Sequence, residues 1–166
     1  RGYFARCWCN NEFEEYGLDT NIVQINNSLS KHIGTLRGLH FQYPPKAETK
    51  IVSCIKGKIW DVIVDIRLNS PTYGKWYGTE LSNENRTMMY VPKGFAHGFV
   101  SLKENAEIIY LVTEPYSSEH EGILRWNDPF HGIKWPITPT IISEKDNAVK
   151  NWENKDAVQL RRIKQL

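Results

Sequence analysis

The sequence predicts an all-β fold: a jelly roll preceded by a short helix and followed by a helical C-terminal segment. Three observations carry this expectation. Between Lys50 and Thr113 the chain runs in short stretches rich in β-branched and aromatic residues. Turn signals separate these stretches roughly every 8–12 residues. Helical spacing appears only towards the two ends.

Arg1 to Trp8 alternates loosely and is rich in aromatics, which reads as an extended arm or edge strand. Asn10 to Tyr16 has helical spacing, and Gly17 stands where a helix would end. Asn21 to Asn27 reads as a short strand. Lys50 to Lys56 is a strand, Gly57-Lys58 a turn, and Ile59 to Ile66 the returning strand. On that strand Trp60, Val62, Val64 and Ile66 share one face, while Ile59, Asp61, Ile63 and Asp65 share the other. Two carboxylates among isoleucines make the second face either solvent-facing or the floor of a polar pocket. Asn69-Ser70-Pro71-Thr72 is a turn. Lys75 to Leu81, Thr87 to Val91, Gly98 to Leu102 and Ala106 to Thr113 read as further strands. After Tyr116 the chain turns polar, and Trp126-Asn127-Asp128-Pro129 and Trp135-Pro136 mark loops. Ser143 begins a helical segment, and residues 147–166 form a C-terminal appendage, as a docked helix or a frayed tail.

With 166 residues, 40% of them apolar and 24% charged, the chain suits one soluble domain with an ordinary core. A net charge of +2 is too small for nucleic-acid binding by bulk electrostatics, so anion recognition must be local. Cys7, Cys9 and Cys54 make no disulfide framework, and Cys7-x-Cys9 lacks a second pair for zinc. A reducing cytoplasm is the expected setting. No stretch approaches the roughly 18 apolar residues of a membrane span. Because the chain opens at Arg1, a preceding segment is expected.

The chemistry concentrates in Leu36-Arg37-Gly38-Leu39-His40-Phe41-Gln42. An imidazole can exchange a proton near neutral pH, and an arginine beside it can grip an anion. His40-x-Gln42, with His97 in Pro92-Lys93-Gly94-Phe95-Ala96-His97, resembles a degraded version of the metal motif of cupin-type jelly rolls. An amide replaces the second imidazole and is a poor ligand for the metals imidazole suits, so the fold is expected without a metal. Proton transfer then becomes the chemistry: His40 is the candidate base, Lys50 a cation for a developing oxyanion, and Tyr110 a candidate acid. Tyr110 shares a face with Ile108 and Val112, and by spacing alone it reads as a core tyrosine with its hydroxyl hydrogen-bonded.

The ordered set Arg1-Gly2-x-Phe4, Gln24-x-Asn26-x-Ser28, Leu36-Arg37-Gly38-Leu39-His40, Lys50-Ile51-Val52, Asp61-Val62-x-Val64-Asp65, Ser70-Pro71-Thr72-x-Gly74-x-Trp76, Pro92-x-Gly94-Phe95-Ala96-His97-Gly98-Phe99, Tyr110, Tyr116 and Trp126-Asn127-Asp128-Pro129 resembles the dTDP-4-dehydrorhamnose 3,5-epimerase family from Arg1 to about Asp146. The resemblance implies a cupin-type jelly roll free of metal and cofactor, acting as a homodimer on a nucleotide-linked 4-keto-6-deoxyhexose. It implies His40 as base, Tyr110 as acid and Lys50 beside the enolate oxygen. It also implies that Asp146, in Ser143-Glu144-Lys145-Asp146, orients His40. By spacing alone the same Asp146 reads as part of a helix cap. Arg37 would hold the diphosphate, with Arg1 and Phe4 contributing at the substrate, Arg1 from the partner. Gln24 and Asn26 would line the nucleotide site and Tyr116 would stack on the base. His97 and Asp61 would sit in the sugar pocket, and Glu121 and Lys145 would add contacts.

Arg6 departs from the family pattern, which often has a glutamate two residues after the phenylalanine. Charge and hydrogen-bonding sense reverse there, so a differently based nucleotide is an alternative. The rival readings are a single-position epimerase, a non-catalytic sugar-nucleotide-binding jelly roll and a metal-dependent cupin enzyme.

Overall fold

The computed structural model describes residues 1–152, and among them lie ten strands and two short helices. Helix α1 spans Asn10–Glu15. The strands are β1 (Gln24–Ser30), β2 (Thr35–Gln42), β3 (Lys50–Lys56), β4 (Lys58–Asp65), β5 (Trp76–Ser82), β6 (Met88–Val91), β7 (Phe95–Ser101), β8 (Ala106–Val112), β9 (Glu121–Ile123) and β10 (Ile141–Ile142). Helix α2 spans Glu144–Asn147. One sheet runs β1-β8-β3-β6; the other runs β10-β2-β7-β4-β5, with β9 paired to β2. Every pairing is antiparallel except β10 with β2. The chain crosses repeatedly between sheets, as a jelly roll does.

The alternation on β4 assigns its two faces as the sequence implies. Val62, Val64 and Ile66 join Leu39, Phe41, Ala96 and Leu124 in one buried cluster. Ile59 and Ile63 join Val52, Leu81, Phe99 and Ile108 in the other. Asp61 and Asp65, on the same face as those isoleucines, are both buried. Asp65 closes the Ser70–Thr72 turn: it accepts from Arg67 Nε at 2.9 Å, Arg67 Nη2 at 2.8 Å and Thr72 Oγ1 at 2.6 Å. Burial pushes its carboxyl up, but the Arg67, Ser70 and Thr72 hydrogen bonds outweigh this and lower it to about 2.

Several expectations need correction. Of the two readings of Arg1 to Trp8 the arm holds and the edge strand does not: residues 1–7 are exposed, Trp8 is partly buried, and the stretch has no ladder partner among the described residues. The strand expected over Asn21 to Asn27 begins at Gln24 and reaches Ser30, because its register is set by pairing with β8. β7 begins at Phe95 rather than Gly98, since Phe95 to His97 pair with β4. β9 and β10 lie in stretches read as loop; with three and two residues they are too short to show alternation. The helix capped by Ser143 ends at Asn147, and residues 148–152 are not helical. The rest of the expected C-terminal appendage lies outside the described residues.

The 120–152 stretch covers the outer face of the larger sheet. Asp128 organises it: Oδ1 accepts from the Phe130 amide at 2.9 Å and contacts His131 Nδ1 at 3.0 Å, and Oδ2 accepts from the Trp152 amide. The Trp126-Asn127-Asp128-Pro129 element is thus a structural fastening.

Candidate active site

The site is set by an irregularity in β2. Arg37 pairs with Phe99 and His40 with His97, so two residues of β2, Gly38 and Leu39, oppose Gly98 alone. Strict alternation would turn Arg37 and His40 to opposite faces; the extra residue brings both side chains to one cavity. Close strand approach depends on glycine at both strands. A Cβ at Gly98 would stand 2.7 Å from the Arg37 carbonyl, and one at Gly38 would stand 2.6 Å from the His97 carbonyl.

Two adjoining cavities, of about 480 and 360 Å³, share His40, Lys50 and Tyr110 in their walls. His40 comes from the larger sheet; Lys50 and Tyr110 come from β3 and β8 of the smaller one. Imidazole and phenol thus face a common space from opposing sheets. The larger cavity is completed by Arg37, His97, Lys145 and Asp146, the smaller by Gln24, Asn26, Glu48, Tyr116 and Glu121.

Asp146 holds the histidine. Its Oδ1 lies 2.7 Å from His40 Nε2, and its Oδ2 accepts from the Gly38 amide at 3.2 Å. Burial pushes the Asp146 carboxyl up, but the His40 contact and the Gly38 amide outweigh this and hold it below the usual carboxylate range. The carboxylate accepts the Nε2 proton, leaving Nδ1 as the basic nitrogen. Asp146 makes both contacts that the two sequence readings call for. Ser143 Oγ accepts from the Asp146 amide at 3.0 Å, so the helix cap itself carries the carboxylate to the imidazole.

Tyr110 is half-buried; burial first, and then the charge of Glu48, push its phenol up, against the opposing effect of Arg37. Lys50 Nζ pairs with Glu48 Oε1 at 2.9 Å. Arg37 is anchored at its base, with Nε 3.3 Å from Ser30 Oγ and Nη2 donating to the Leu29 carbonyl at 3.0 Å. Gln24 Nε2 donates to Asn26 Oδ1 at 2.7 Å. Tyr116 Oη donates to Glu121 Oε2 at 3.0 Å, and Lys145 pairs with the same carboxylate.

Other expected residues lie differently. Asp61 is fully buried beneath the cavity, where its Oδ1 holds His97 Nε2 at 2.8 Å; it reaches the pocket only through that histidine. Arg1 and Phe4 line neither cavity of this chain, and Phe4 is 98% exposed. Gln42, the residue in place of a second imidazole, is engaged by backbone: Nε2 donates to the Lys46 carbonyl at 2.8 Å, and Oε1 accepts from the Ser117 amide at 2.6 Å. Among the described residues no three of His, Cys, Asp or Glu are grouped to hold a metal ion. Glu48 went unread in the sequence. Its position two residues before Lys50, just ahead of β3, was the available signal.

A family model described as dTDP-4-dehydrorhamnose 3,5-epimerase matches residues 1–154. A dTDP-4-dehydrorhamnose 3,5-epimerase from Sinorhizobium fredii is 51% identical over 149 residues, 89% of this chain and 76% of that protein. The crystal structure of the dTDP-4-dehydrorhamnose 3,5-epimerase from Bacillus anthracis, with TDP and PPi bound, is 43% identical with a TM-score of 0.88, covering 91% of this chain and 86% of that one. That of a dTDP-6-deoxy-D-glucose-3,5-epimerase from Legionella pneumophila, in complex with dTDP-4-keto-L-rhamnose, is 41% identical with a TM-score of 0.85, covering 90% and 80%.

Proposed function

Because this chain belongs to the dTDP-4-dehydrorhamnose 3,5-epimerase family, we propose that it inverts C3 and C5 of a nucleotide-linked 4-keto-6-deoxyhexose of the dTDP-4-dehydro-6-deoxyglucose type. The observation that carries this reading is that His40 and Tyr110 border the same cavities from opposing sheets.

The chemistry follows from the ketone. A carbonyl at C4 acidifies the hydrogens on C3 and C5. His40 Nδ1 takes one of them, and the C–H electron pair moves into the ring as an enolate. Lys50 stabilises the negative charge gathering on the C4 oxygen. Tyr110 returns a proton to the same carbon from the other face, inverting it. His40 is then protonated and Tyr110 deprotonated, and exchange with solvent resets both before the second centre reacts. Asp146 fixes the tautomer of His40 and stabilises its protonated form. Each proton-transfer group is worth roughly 10²–10⁴-fold in rate.

Arg37 serves the diphosphate, Gln24 and Asn26 the nucleotide, and Tyr116 the base, with Glu121 and Lys145 fixing Tyr116 at the rim. His97, steadied by Asp61, contacts the sugar. Arg1 and Phe4 act from a second copy in a homodimer. The apolar side chains of Ile25, Leu29 and Ile55, all exposed on the outer side of the smaller sheet, support such an association. Among the described residues no helix is long and apolar enough to cross a membrane. The unpaired Cys7, Cys9 and Cys54 suit a cytoplasmic setting.

The test is proton NMR in heavy water with a panel of nucleotide-linked 4-keto sugars and no added metal. Deuterium entering both C3 and C5 is the expected result; no exchange at either overturns the reading. Arg6, turned to Glu12 in this chain, gives the panel a reason to vary the base. Exchange at one centre alone would establish the single-position alternative.

A further inference from the structure

We infer that Glu48 is a positioning residue for the epimerisation, acting through Lys50 by holding its ammonium group at the meeting point of the two cavities; this rests on the function proposed above. The pair is close and largely shielded: Nζ and Oε1 are 2.9 Å apart, and each side chain is 11% exposed. The second carboxylate oxygen, Oε2, lies 3.4 Å from Gln42 Nε2. Gln42 is itself held by the Lys46 and Pro115 carbonyls and the Ser117 amide, so it offers a fixed donor. The backbone at Glu48 is fastened just downstream, where the Thr49 amide donates to Thr113 Oγ1 at 2.9 Å. Lys50 pairs across β3 with Val112 on one side and Val91 on the other.

A lysine has four rotatable side-chain bonds, and its ammonium would otherwise range through a cavity of this size. Glu48 restricts it to one region of the wall shared with His40 and Tyr110. The placement has an energetic purpose. Oxyanion stabilisation requires the cation to stand where charge develops, and a displacement of about 1 Å can cost roughly 10²-fold in rate. The same carboxylate also helps keep the Tyr110 phenol in its proton-donating form.

The test uses the full chain with Glu48→Gln and Glu48→Asp, after the wild-type protein has been assayed for deuterium entry at C3 and C5. The glutamine variant keeps the shape and removes the charge. Its kcat should fall about 10–100-fold with KM within about threefold, and the alkaline limb of its pH–kcat profile should move to lower pH. The aspartate variant should recover part of kcat and return the limb towards its original position. A glutamine variant within twofold of wild type in kcat with an unmoved limb overturns the inference, as does a loss confined to KM. If the glutamine variant does not fold, the aspartate variant decides: partial kcat loss with unchanged KM supports the role, and wild-type kcat overturns it. A wild-type protein that exchanges neither hydrogen fails the underlying reading instead.

Discussion

At the residue scale the groups proposed to remove and to return the proton stand on different walls of the site. His40 and Asp146 are coupled at 2.7 Å on one wall, and Tyr110 stands on the other. The two steps should therefore fail differently. His40→Asn should lower turnover by about 10²–10⁴-fold while substrate affinity changes little. Tyr110→Phe should leave His40 able to remove a proton and restore deuterium on the same face. Solvent exchange would then persist while net inversion falls by roughly 10²-fold or more. Parallel measurement of deuterium entry and product stereochemistry checks both. Full inversion by the His40→Asn variant would remove the imidazole from the mechanism.

At the element scale the bulge in β2 is what makes Arg37 and His40 neighbours in space. It exists because Gly38 and Gly98 let two strands approach more closely than side chains would permit. Gly98→Ala would set a methyl 2.7 Å from the Arg37 carbonyl. The expected cost is about 1–3 kcal/mol in a denaturant titration, with activity lost beyond that explained by unfolding, because the strain falls on the segment carrying His40. The turn after β4 supplies a second prediction. Asp65 is held at about 2 against an ordinary 3.8, so its contribution is fully present above about pH 4. It is lost as pH falls towards 2, a change of about 2 kcal/mol. Asp65→Asn should be destabilised at neutral pH and show a flatter stability profile across that window.

At the scale of the whole molecule, the buried His131 packs inside the 120–152 stretch, beside Asp128 and edge-on to Trp152, which belongs to the buried cluster under the larger sheet. Burial pushes its imidazole below the usual range, and contact with Asp128 only partly opposes this. A histidine kept neutral when folded but free to protonate when unfolded contributes stability above about pH 6.5 that is lost as pH falls below it. The midpoint of urea unfolding should therefore drop between pH 7 and pH 5. His131→Gln, although less stable at neutral pH, should show a weaker drop across the same range.

Most strands from Lys50 to Thr113, the two faces of β4, the N-terminal helix and the cavity residues His40, Lys50 and Tyr110 were legible in the residues, whereas β9 and β10 were not. Apolar alternation is a local property, and the acid, base and cation are recognisable as residue types. The double use of Asp146, as cap partner and as histidine partner, was legible only as two competing readings. A 106-residue separation in the chain carries no distance in space. By itself the sequence determined the kind of fold and the kind of chemistry, because periodicity and side-chain reactivity are written residue by residue. Only the tertiary structure decided which groups share a cavity, that Asp61 is bonded to His97, and that Glu48 stands against Lys50. Those facts depend on a bulge, on strand registers and on turns that bring distant segments within hydrogen-bonding reach.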